Sequence, residues 1–67
     1  MTNTTKYLEN MIDAAYDPDF IDSLDDLINA DNTVERILKT TYTNADYEYL
    51  RAYAQTARDR LHDEIDF

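Results

Sequence analysis

The sequence predicts an all-α protein, a single domain over residues 1–67 folded as a small bundle of three to four helices with the C-terminal helix longest. Three observations carry this. The 67 residues include no glycine, which removes most tight turns and every glycine-rich phosphate loop. Apolar residues recur at intervals of three and four through most of the chain, the period of a half-buried helix. The one proline, Pro18, follows Asp17 between two such stretches, where it stops one helix and can open the next.

The first helix, Thr5–Tyr16, sets Tyr7, Leu8, Met11, Ile12, Ala15 and Tyr16 on one stripe. Asp17 ends it and caps a second helix, Pro18–Asn29. There Phe20, Ile21, Leu24, Leu27 and Ile28 share one arc, with Asp19, Asp22, Asp25, Asp26 and Asn29 opposite and Ser23 inside the helix. Asn32 and Glu35 stand at capping-box spacing and predict a short third helix that buries Val34, Ile37 and Leu38. The β-branched run Thr40-Thr41-Tyr42-Thr43 ends it.

A fourth helix, Ala45–Ile65, follows a Thr43 or Asn44 cap, with Tyr47, Leu50, Tyr53, Ala54, Ala57, Leu61 and Ile65 on its stripe. At 1.5 Å per residue it is about 30 Å long and would overhang three shorter partners. A domain this small buries only about 60% of its unfolded surface. Both points predict a homodimer with the fourth helix at its seam.

Charge narrows the function. The formal net charge is −9, and it is polarised: residues 1–31 hold eight acids against Lys6 alone, residues 32–67 seven acids against five bases. Between Ile12 and Val34 lie seven aspartates and no lysine or arginine. Such a field opposes direct binding of nucleic acid or anionic lipid, because phosphate neutralisation supplies most of that affinity. The partner expected is a basic protein. Met1-Thr-Asn-Thr-Thr-Lys6 opens no apolar run, so neither a signal peptide nor a membrane span is expected, and the compartment expected is the cytoplasm. Crowding of the aspartates predicts raised carboxyl pKa values, hence stability that increases as pH falls from neutral towards about 5.

Metal and cofactor chemistry find little to work with, and none is expected. In Asp17-Pro-Asp19-Phe-Ile-Asp22 two aspartates fit an EF-hand loop, but Ile21 and Ile28 fall at ligand positions and the loop glycine is missing. Zinc would need more than one histidine and no cysteine. His62 is read as a surface residue beside Asp59 and Asp63. No enzyme is expected.

Asp22-Ser23-Leu24 is similar to the triplet at which acyl carrier proteins take their phosphopantetheine, which would imply attachment at Ser23. In that family the serine follows a long loop and opens a helix, whereas Ser23 is predicted inside one. Ile21-Asp22-Ser23-Leu24 through Ile28 also resembles the second helix of the Hha/YmoA family of small helical modulators that bind nucleoid proteins. Tyr53, Ala57, Arg60 and Leu61 fall in order on a long helix like that family's third, although a Val34–Leu38 helix intervenes. This resemblance implies a protein-binding regulator.

The function expected is therefore a small acidic antagonist or adaptor whose aspartate face occupies the basic surface of a nucleic-acid-handling protein. DNA mimics, phage inhibitors of host defence such as anti-CRISPR proteins, and acidic antitoxins are of this type. The alternative is a helical dimerisation or regulatory module, Hha-like, whose acidic face serves only solubility. Candidate contact residues are Asp19, Asp22, Asp25 and Asp26, joined by Tyr42, Tyr49 and Arg51 near the start of the last helix, since tyrosine and arginine are enriched at interfaces. Tyr47 and Tyr53 are expected in the core.

Overall fold

The computed structural model describes the backbone of residues 3–65 and the side chains of residues 5–65. The ends of the chain, with part of the polar opening stretch, lie outside the described residues. Three helices pack together: α1 (Asn3–Ala15), α2 (Leu24–Leu38) and α3 (Asn44–Glu64), with one 3-10 turn, Pro18–Phe20, between the first two. The longest is α3, and the described residues include no strand. The body measures 35 × 17 × 16 Å.

Short connections make α2 antiparallel to both neighbours, so α1 and α3 run parallel. Their pairing shows it directly. Tyr49 meets Glu9 and Tyr53 meets Asp13, each pair 40 residues apart and each four residues further along both helices. Leu8 and Ile12 from α1, Leu27, Ala30, Val34, Ile37 and Leu38 from α2, and Leu50, Ala54 and Leu61 from α3 form one core, with Tyr16 and Ile21 from the connection.

The boundaries around residues 17–32 differ from the expected ones. Asp17 caps as predicted, its Oδ1 accepting from the Asp19 amide at 2.9 Å. The turn lasts only to Phe20, because Ile21 is extended. Ser23 does not lie inside a helix; it is the N-cap of α2, accepting from the Asp26 amide at 3.3 Å. Asp26 Oδ2 reaches back to the Asp22 amide at 3.0 Å, a variant of the reciprocal capping box. Ser23-x-x-Asp26 thus outcompetes Pro18 as the start of the helix. Asp25 and Asp26 also sit in its first turn, where the helix dipole favours negative charge.

The predicted break at Asn29–Asn32 does not occur, and Asn32 is a mid-helix residue, not a cap. Leu27, Ala30, Val34 and Ile37 keep one helical phase and are all buried, and burial of that face overrides the weak helix propensity of Asn29, Asp31, Asn32 and Thr33. Two predicted helices are one.

Without glycine, α2 closes with backbone bonds from the Thr40 and Thr41 amides to the Ile37 and Leu38 carbonyls at 3.1 and 3.3 Å, to which the two threonine hydroxyls also donate at 2.7 and 2.9 Å. Thr43 then caps α3, accepting from the Asp46 amide at 3.1 Å. At 21 residues α3 remains longer than α1 (13) and α2 (15), yet much of its apolar stripe packs within the chain. Leu50, Ala54 and Leu61 are all buried within the single chain. Tyr47, expected in the core, is 40% exposed, whereas Tyr53 packs at its edge.

Candidate functional site

The seven clustered aspartates separate into two groups once their partners are known. Asp13 accepts from the Tyr53 hydroxyl at 2.7 Å, and Asp17 and Asp26 cap backbone amides. Asp31 accepts from the Tyr16 hydroxyl at 2.6 Å and from Arg58 Nε at 3.0 Å and Nη2 at 3.3 Å, tying α2 to α3 and to the residue that follows α1. Arg58 Nη1 lies 3.2 Å from His62 Nε2. These four carboxylates serve the fold.

Asp19, Asp22 and Asp25 remain. All three are exposed, and their carboxylates have no hydrogen-bond or ion-pair partner among the described residues. They do not form the helical row that the sequence suggested. Asp19 is on the 3-10 turn, Asp22 is in the extended link, and only Asp25 is helical. Asp26, the fourth expected contact, is half-buried and occupied in capping.

Apolar side chains accompany the three. Phe20 is 74%, Leu24 59% and Ile28 48% exposed, although all three belong to the apolar arc of the predicted second helix. Capping at Ser23 explains the change, because it sets Leu24 and Ile28 at i, i+4 beside the buried Leu27–Ala30–Val34 stripe instead of on it. The sequence did hold a signal for this: Ser23-x-x-Asp26 is a capping pattern, and the phase of Leu27, Ala30, Val34 and Ile37 excludes Leu24 and Ile28.

The other expected contacts do not join this surface or one another. Tyr42, 89% exposed, lines a groove between α1 and α2. Tyr49 lies on the α1–α3 seam, where its hydroxyl donates to the buried Glu9 carboxylate at 2.7 Å. Arg51 borders the α2–α3 seam with Tyr47 and Gln55.

The electrostatics of the structural group also depart from expectation at Asp31. Partial burial works to raise its carboxyl, but the Arg58 and Tyr16 hydrogen bonds outweigh burial and hold it below the usual 3.8. Burial, then the Asp31 bond, pushes the Tyr16 phenol well above its ordinary value. The bond to Asp13 is the main reason that Tyr53 is pushed up to about 12. No sequence signal marks these pairs, whose members stand 15 to 40 residues apart.

No protein-family model, curated protein or solved structure matches the chain. Its surface chemistry must carry the functional reading. No helix of the described residues is long and apolar enough to cross a membrane.

Proposed function

We propose that this protein is a small acidic binding protein, not an enzyme, that occupies the basic surface of a nucleic-acid-handling protein with the segment around Asp19, Asp22 and Asp25. DNA mimics, phage inhibitors of host defence such as anti-CRISPR proteins, and acidic antitoxins act in this manner. One observation carries the reading. Three carboxylates without a hydrogen-bond or ion-pair partner among the described residues share a short segment with exposed Phe20, Leu24 and Ile28. Exposed apolar area forgoes about 25 cal/mol per Å², so a partner that covers it gains that stabilisation as well as the charge attraction. The matching surface is basic with apolar ground between its charges.

Changing Asp19, Asp22 and Asp25 together to lysine tests the reading and spares the cap at Asp26. The control changes Glu48, Asp63 and Glu64, exposed residues of α3, by the same charge. Wild type should capture a basic nucleic-acid-binding protein at low salt, release it at high salt, and compete with DNA for it. The triple variant should lose the partner, since like charges at such an interface cost several kcal/mol, while the control keeps it. Equal loss in both reduces the effect to net charge, and loss in neither removes the segment as the contact.

A homodimer is a competing reading, since it would bury the same exposed Phe20, Leu24 and Ile28 row that the partner is proposed to cover. A single-chain mass by sedimentation equilibrium at high micromolar concentration excludes it.

A further inference from the structure

A second surface, independent of the aspartate segment, lies towards the other end of α2. A groove of about 490 Å³ runs between α1 and the C-terminal half of α2, walled by Tyr7, Met11, Ile37 and Tyr42. In a chain with 15 acidic residues, none of the described residues lining it is acidic, and Arg36 is the only charged one.

Among the described polar residues lining the groove, only the Arg36 guanidinium is an obligate donor; the hydroxyls can also accept. The Thr33 hydroxyl already donates to the Asn29 carbonyl at 3.0 Å, and Thr40 to Ile37. The Arg36 guanidinium and the Tyr7 and Tyr42 hydroxyls have no partner among the described residues, and a guanidinium donates without accepting. Tyr7 is 64% exposed, and its ring and that of Tyr42 line the same apolar trough as Arg36, a cation unpaired among the described residues. Tyrosine, methionine and arginine are the residues enriched where protein partners anchor.

We propose that this groove docks a helix of a partner protein whose apolar face carries a carboxylate at its margin, the carboxylate pairing with Arg36. Helices seat in such troughs through apolar anchors at i, i+3 or i+4, and i+7. Charge decides the occupant. The net charge of −9 repels an acidic ligand from the molecule as a whole, so a preference for acid can arise only locally, from a place without carboxylates and with a free arginine.

The test uses three matched synthetic helical peptides with one leucine face and, at one flanking position, glutamate, glutamine or lysine. Binding is followed by NMR titration of the labelled full chain. The glutamate peptide should bind about tenfold more tightly than the lysine peptide, the scale of one well-formed charge pair. The largest shifts should fall on Met11, Thr33, Ile37 and Tyr42. Arg36→Glu should reverse the order, Arg36→Gln should abolish the preference for glutamate, and Met11→Glu should weaken the glutamate and glutamine peptides, each variant keeping the dispersed spectrum of the fold. An order that follows the overall field, with lysine tightest, overturns the proposal, as does failure of every peptide at millimolar concentration. Equal binding of decanoate makes the groove a small-molecule site, and shifts of the same residues on concentrating the protein alone give it to a second copy; either result also overturns the proposal.

Discussion

Tyr16 and Asp31 are joined by a 2.6 Å hydrogen bond between a buried phenol and a half-buried carboxylate, and Arg58 closes the same carboxylate from α3. One aspartate of the acidic run is thereby converted from a surface charge into a tie from α2 to α3 and to the residue that follows α1. Tyr49 with Glu9 and Tyr53 with Asp13 repeat the device between α1 and α3. Three of six tyrosines thus hold carboxylates, which ties the abundance of both residue types to the fold.

Tyr16→Phe keeps the ring and removes the donor to Asp31. A hydrogen bond to a charged group contributes about 1.5–3 kcal/mol, and the partial exposure of Asp31 places the loss near the lower figure. Urea denaturation should show a lower midpoint with an unchanged slope.

Acid should act on Asp31 with a definite sign. Its folded pKa is depressed, so the folded state holds fewer protons there, and its contribution is full above the unfolded value near 3.8 and is lost as pH falls through the folded one. Melting temperature should therefore drop below about pH 4, and Asp31→Asn should flatten that drop. Any gain from relieved repulsion between pH 7 and 5 lies in a separate window. A wild-type melting curve as flat as that of Asp31→Asn below pH 4 would show that the Arg58 pair is not formed.

Alkali should act in the opposite sense. Tyr53 is pushed up to about 12, chiefly by Asp13, and Tyr16 and Tyr49 are raised too, so the neutral phenols stabilise the fold fully below the unfolded value near 10. That contribution is lost as pH rises through the folded values. Absorbance titration should show late-ionising tyrosines, one fewer in Tyr53→Phe. Ionisation of all six together near pH 10 would exclude the Tyr–carboxylate ties.

Two substitutions separate the observed helix start from the expected one. Ser23→Ala removes the cap of α2 and should cost about 1 kcal/mol. Asn32→Ala, at an exposed mid-helix position, should instead stabilise by a few tenths of a kcal/mol, up to about 0.7. The reverse order in thermal melts would restore a helix break at Asn32.

Periodicity specified the helical class and most of the core, including Leu8, Ile12, Leu27, Val34, Ile37, Leu50 and Leu61, while the local sequence left the cap of α3 between Thr43 and Asn44. Those features depend on neighbours three or four residues away, so they can be read locally. Packing decided the rest. A continuous buried face carried α2 through Asn29–Asn32 despite poor propensity, and choosing Ser23 over Pro18 as the start turned Phe20, Leu24 and Ile28 outward. Only the packed bundle could separate the structural Asp13 and Asp31 from the unpaired Asp19, Asp22 and Asp25, because Tyr53, Tyr16 and Arg58 are distant in sequence and reach those carboxylates only when the helices come together.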